Sequence, residues 1–136
     1  MEKIEERLTF TKKERLSGTI KIDTLFKEGK SFISYPLRVI YLLHEQSRES
    51  ICSILVSVPK KRIKKASHRN RIKRLIRESY RLNKALIDNE TIGDKSLDIA
   101  FIYVKDATSD YPTIQKAIQK ALNQITVRIT KTEQSE

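Results

Sequence analysis

Tryptophan is absent, cysteine occurs once, and glycine and proline occur only three times each in this chain of 136 residues. A lone cysteine, Cys52, excludes an internal disulfide and any multi-cysteine zinc site, and it suits a reducing interior. Lying in a strand-like stretch, it reads as a buried apolar filler. With so few glycines and prolines there is no linker-like segment, and no internal repeat appears. One domain over residues 9–130 is therefore expected, with flexible tails at 1–8 and 131–136. No apolar run approaches the roughly 20 residues that span a bilayer. The opening "MEKIEERLTF" lacks the apolar block of a signal peptide, so a cytoplasmic protein is expected. Histidine is scarce too, with only His44 and His68, and the acidic residues are scattered. A protein nuclease needs clustered carboxylates for metal ions or a histidine acid–base pair. Accordingly no catalytic residue and no metal ligand is assigned.

Positive charge is what the chain does have. Its formal charge of +11 and pI near 9.8 impose self-repulsion and point to phosphate-rich partners, with nucleic acid the leading class. Twelve of the 28 basic residues lie between Pro59 and Lys84, where Glu78 is the sole acid. The sixteen basic and sixteen acidic residues outside that window cancel.

The remaining pattern reads as an α+β domain. Ile22, Leu25 and Phe26 fall at helical spacing ahead of Gly29, which predicts a short helix near 20–28 with Phe26 on its inner face. "YPLRVIYLL" (35–43) and "SICSILVSV" (50–58) are rich in β-branched and aromatic residues, and the polar "HEQSRES" between them predicts a hairpin. "LDIAFIYV" (97–104) is apolar almost throughout, as a strand covered on both faces would be. Ile114, Ala117, Ile118, Ala121, Leu122, Ile125 and Ile129 form the apolar stripe of a last helix, with Ser109 or Asp110 as its cap and Pro112 in its first turn.

The basic window holds a helix from Arg69 to about Ile87. Its apolar stripe comprises Ile72, Leu75, Ile76, Leu86 and Ile87, weakened by Ser79 and Asn83. Across from it Arg69, Lys73, Arg77 and Arg81 rise in i+4 steps, beside a second row of Asn70 and Arg74. Like charges at that spacing repel, so the ladder weakens the isolated helix. A solubilising face interleaves both signs, and this one does not. A membrane-surface helix would carry tryptophan or phenylalanine on its apolar side, and neither is present, so no membrane partner is assigned. Guanidinium groups instead suit phosphates, to which they donate paired hydrogen bonds, and bases, on which they stack. The preceding "SVPKKRIKKASH" adds five cations in a loop.

These residues resemble the bacterial ribonuclease P protein family. The family's mark is a strand ending in Ser-Val-x-Lys-Lys, a short basic loop, and a helix opening with Arg-Asn-x-x-Lys-Arg-x-x-Arg. Here they are Ser57, Val58, Lys60 and Lys61, then Arg69, Asn70, Lys73, Arg74 and Arg77. The family's opening Lys-x-x-Arg-Leu and Phe-x-x-Gly match Lys12, Arg15, Leu16, Phe26 and Gly29, and the likeness covers roughly residues 10–126. It departs in the loop, where the family has Gly-x-Ala-Val before its Arg-Asn. This chain has Lys64 for the glycine, Ser67 for the valine, and one extra residue.

The resemblance implies a central sheet with packed helices in the order α-β-β-α-β-α, an optional extra short strand, and a left-handed βαβ crossover. It implies that Lys60, Lys61, Lys65, Arg69, Asn70, Lys73, Arg74 and Arg77 contact the catalytic RNA subunit. Phe26, Arg38, Tyr41 and Ser57 would hold the single-stranded 5′ leader of precursor transfer RNA, although Phe26 and Tyr41 equally fit core positions. The protein would bind no cofactor itself, Mg²⁺ would sit at the RNA active site, and no obligate protein partner is evident. Two alternatives remain: a general RNA-binding or RNA-chaperone module, and a protein endonuclease.

Overall fold

The structure is a computed structural model that describes residues 19–45, 52–87 and 95–134. Lys12, Arg15 and Leu16 of the opening motif lie outside the described residues.

Helix α1 (Thr19–Glu28) forms where the Ile22–Leu25 spacing requires it. Its last turn closes with the Gly29 amide donating to the Leu25 carbonyl at 2.8 Å. A Cβ on Gly29 would meet that same carbonyl, Ile40 Cγ2 at 2.8 Å and the Tyr41 carbonyl at 3.0 Å. Glycine is thus required here because the chain passes close against the sheet, which is a packing demand and not a turn.

Strands β1 (Lys30–Ser34), β2 (Leu37–Glu45), β3 (Cys52–Ser57) and β4 (Lys95–Tyr103) make one sheet in the order β1-β2-β4-β3. β1 is the extra short strand, joined to β2 through a cis Tyr35–Pro36 bond. The predicted hairpin between residues 35–43 and 50–58 does not form. β4 lies between those two strands, antiparallel to β2 and parallel to β3. The physical reason is burial. Leu97, Ile99, Ala100, Phe101 and Tyr103 are wholly buried, so β4 takes the central position covered on both faces. β2 and β3, which carry Arg38, His44, Ser53 and Ser57, flank it.

Helix α2 (Ala66–Asn83) and a 3₁₀ turn (Lys84–Leu86) connect the parallel pair. The helix starts earlier than Arg69 and so includes His68. It ends sooner than expected, and Leu86, predicted to be inward, is 38% exposed. Tyr80 fills that role instead, wholly buried beside Phe101 with ring centroids 6.4 Å apart. Helix α3 (Tyr111–Gln134) buries every residue of its predicted stripe and continues into the stretch expected as a tail. Of its two candidate caps, Asp110 is the one used, accepting from the Thr113 amide at 3.1 Å. Hydrogen bonding by the Thr113 side chain, and next by its amide, holds the Asp110 carboxyl below its ordinary value. Ser109 instead bonds the Tyr103 hydroxyl at 2.7 Å.

Strand alternation divides the core in two. Val39, Tyr41, Ile99 and Phe101 face α2 and α3. Ile40 and Ala100, with partly buried Leu42, Leu55 and Ile102, face α1 and are sealed by Leu25. The polar breaks in the α2 stripe have a use where α2 meets α3. Asn83 donates to the Ser79 carbonyl at 2.8 Å and accepts from Gln119 at 3.1 Å. Cys52 is half-buried at the start of β3, short of the full burial expected of it.

Candidate nucleic-acid interface

Basic side chains need a rigid support if they are to match phosphate positions, and the loop after β3 is built as one. The Arg62 and Ile63 amides both donate to the Pro59 carbonyl, at 3.0 and 3.2 Å. Ile63 is 5% exposed and pins the turn to the core, while Arg62 reaches Asp106 at 3.1 Å. Lys60, Lys61, Lys64 and Lys65 all project into solvent from this frame.

Arg69 holds that frame to the helix. Its Nη1 donates to the Ile63 carbonyl at 2.9 Å and to the Lys64 carbonyl at 2.7 Å, so its guanidinium turns back under the loop and does not lead the outward ladder. Farther along α2, Arg81 is paired with Glu78, its Nε donating to Oε2 at 3.1 Å. The hydrogen bond from Arg81 holds the Glu78 carboxyl below its ordinary range. The outermost groups between these two pairs are Asn70, Arg71 and Arg74, with Lys73 and Arg77 half-buried beside them. Arg71 escaped assignment in the sequence because it lies off the i+4 ladder. Its i+3 spacing to Arg74 was the signal for it.

A second surface lies on the α1 side of the sheet. The strand register places Ser57 beside Ile102, Ile102 beside Arg38, and Arg38 beside Ile33. These four share one face, because Ile102 and Ile40 both line the α1 side. They form a row across all four strands, about 14 Å long at 4.7–4.9 Å per strand spacing. Arg38 is exposed, Ser57 and Ile102 are half-buried, and Ile33 is 61% exposed. At its Ser57 end the row runs directly into the loop of Lys60 and Lys61. Two residues expected from the sequence, Arg38 and Ser57, are thus brought together, and two others that it did not single out, Ile102 and Ile33, complete the row.

The aromatic pair does not assemble. Tyr41 is 6% exposed on the opposite face, edge-on to Phe32 with centroids 6.1 Å apart. Period-2 alternation gives the α1-side place to Ile40, one residue away. Phe26 departs the other way. It was expected on the inner face of α1, but Leu25 is the residue that is wholly buried there, while Phe26 is 45% exposed. It is an open aromatic surface at the margin of the helix.

His44 is not in a loop. It is the penultimate residue of β2, with Nε2 3.0 Å from Asp98 Oδ2 and Nδ1 2.9 Å from the Glu45 carbonyl, and it ties β2 to β4. Among the described residues no three histidine, cysteine, aspartate or glutamate side chains gather as a metal site, and no helix is long and apolar enough to cross a membrane.

Comparison with known proteins places the chain in a family. The model of the family described as Ribonuclease P matches residues 10–126. The ribonuclease P protein component of Porphyromonas gingivalis is 47% identical over 117 residues, covering 85% of each chain. That of Clostridioides difficile is 36% identical over 123 residues, covering 90% of this chain and all of its own. Among solved structures, the RNase P protein from Thermotoga maritima superposes with a TM-score of 0.66 at 28% identity, covering 82% of this chain and 96% of that one. The chain belongs to the bacterial ribonuclease P protein family, the protein component of the ribonucleoprotein endonuclease that matures transfer RNA 5′ ends.

Proposed function

We propose that residues 9–130 act as one RNA-binding domain with two surfaces. The first comprises the exposed face of α2 and its loop: Lys60, Lys61, Lys65, Asn70, Arg71, Lys73, Arg74 and Arg77. It binds the catalytic RNA subunit, and Arg69 acts mainly by holding the loop in register. The second is the Ser57–Ile102–Arg38–Ile33 row, with Phe26 at its margin, and it receives the 5′ leader of precursor transfer RNA. Tyr41 is withdrawn from that set because its ring lies in the core of the other face.

The observation that carries the reading is continuity. The row, in which Arg38 is the one cation beside Ile102 and Ile33, starts where the basic loop begins, so an RNA held on α2 can pass a single strand onto the sheet. Apolar and aromatic surfaces accept bases of any identity, while cations hold the backbone, which suits leaders of varied sequence. The chemistry of cleavage belongs to Mg²⁺ ions at the RNA active site. The protein contributes affinity and charge neutralisation, and so lowers the Mg²⁺ concentration the RNA requires.

Reconstitution with the cognate RNA tests the reading. RNA alone cuts precursor slowly at physiological salt, the two together cut quickly, and protein alone does not cut. Cleavage by protein alone, or no stimulation by it, overturns the assignment. A general RNA chaperone would stimulate without requiring a leader, and leaderless transfer RNA binding equally well would identify one.

A further inference from the structure

The leader row does not end in solvent at β1. Beyond the edge strand, between β1 and α3, lies a groove of about 820 Å³ whose floor is Phe32, Ser34 and Ala117. Ser34 is closed against the α3 backbone by a 2.7 Å bond to the Ala117 carbonyl, so the floor is fixed. One wall presents Lys116 and Lys120, one helical turn apart and both exposed. The rim carries Tyr35, 63% exposed, in the turn between β1 and β2. At the far end the Arg128 guanidinium stands over the Phe32 ring, 4.7 Å from its centroid. Among the described residues that line the groove there is no carboxylate. Cations spaced along one wall and an exposed aromatic at the entrance are the components of a single-strand site: phosphates against lysines, a base against the ring.

We propose that this groove is a second leader subsite, which holds nucleotides of the precursor farther from the cleavage site than those on the α1 side. The inference rests on the leader reading above. It adds that a strand running from Ser57 through Arg38 to Ile33 turns over the edge at Tyr35 and continues along Lys116 and Lys120. The polarity follows from the fold. The end of the row next to the basic loop lies toward the RNA subunit and the scissile bond, so the β1 end lies toward the leader's 5′ terminus. Its contacts are lysines on the backbone and a ring on a base, both tolerant of base identity, so the subsite responds to leader length.

The test uses the reconstituted holoenzyme and a series of precursors whose leaders lengthen one nucleotide at a time. Wild-type affinity rises with length in two stages, first as the sheet row fills and then as the groove fills. Lys116→Glu with Lys120→Glu removes the second stage only, leaving short-leader precursors and RNA-subunit affinity unchanged. Tyr35→Ala weakens long-leader precursors by about tenfold, on the scale of one lost base–aromatic stack. All three side chains are exposed, and unchanged thermal unfolding confirms that the fold is intact. Equal loss for short and long leaders, weakened RNA-subunit binding, or no loss at all overturns the groove. If in that event Arg38→Ala still weakens binding of leader-bearing precursor and not of leaderless transfer RNA, the sheet row stands and only the groove fails.

Discussion

Arg38 offers the sharpest separation between an RNA-docking surface and a leader track. It is exposed on β2, beside Ile102 and Ile33 on the α1 side, and so is placed to meet one backbone phosphate. A solvent-screened contact of this kind contributes about 1 kcal/mol, so Arg38→Ala should weaken holoenzyme binding of precursor by about fivefold. Losing one single-strand phosphate contact should also lower the slope of log affinity against log salt by about 0.7. The assay is equilibrium binding of precursor and of leaderless transfer RNA across a salt series. The loss and the slope change should appear with precursor alone. Equal loss for leaderless substrate, or reduced affinity with no slope change, would refute the row as a leader path.

On α2, Arg71→Ala with Arg74→Ala should weaken RNA-subunit binding and lower its salt slope without altering the Tm, because both side chains project into solvent. Arg81→Ala should do less, since Glu78 already engages that guanidinium. Gly29→Ala should destabilise the fold by about 1–3 kcal/mol, read by denaturant unfolding, because two of the three atoms its Cβ would meet are backbone oxygens. Tyr41→Ala should cost about 3–5 kcal/mol of stability, as for other buried aromatics, whereas Phe26→Ala should leave unfolding nearly unchanged and weaken precursor binding. The Asp110 carboxyl titrates below its ordinary 3.8 in the folded chain, so its contribution is present above that pH and is lost as pH falls through the lower folded value. Asp110→Asn, which keeps a capping oxygen, should flatten the stability profile below about pH 4.

Much of this was legible because the relevant signals are local. The α3 stripe, the span of α1 and the concentration of charge around α2 each rest on spacing within one element. What failed depended on partners distant in sequence. The hairpin between residues 35–43 and 50–58 looked sound because both stretches are strand-like and a polar segment joins them. Only the stronger burial demand of Phe101 and its neighbours places β4 between them. Tyr41 and Ile40 differ by one position, and which of them meets α1 is a matter of register that an apolar run cannot disclose. Arg69 and Arg81 read as free cations because their partners, two loop carbonyls and Glu78, become partners only once the turn and the helix exist.

The central position of β4 has a consequence for how the molecule is made. Leu37 pairs with Tyr103 and Glu45 with Lys95, so no strand beyond the β1–β2 pair finds its neighbour until the chain through Tyr103 has been synthesised. During that interval α2 has been made but lacks both β4 and α3, the surfaces that bury Ile72, Ile76 and Tyr80. The most basic segment of the chain is therefore exposed, and its apolar side uncovered, while it is still close to ribosomal RNA. Closure of the sheet around β4 is the event that gives the basic segment its buried support and its shape.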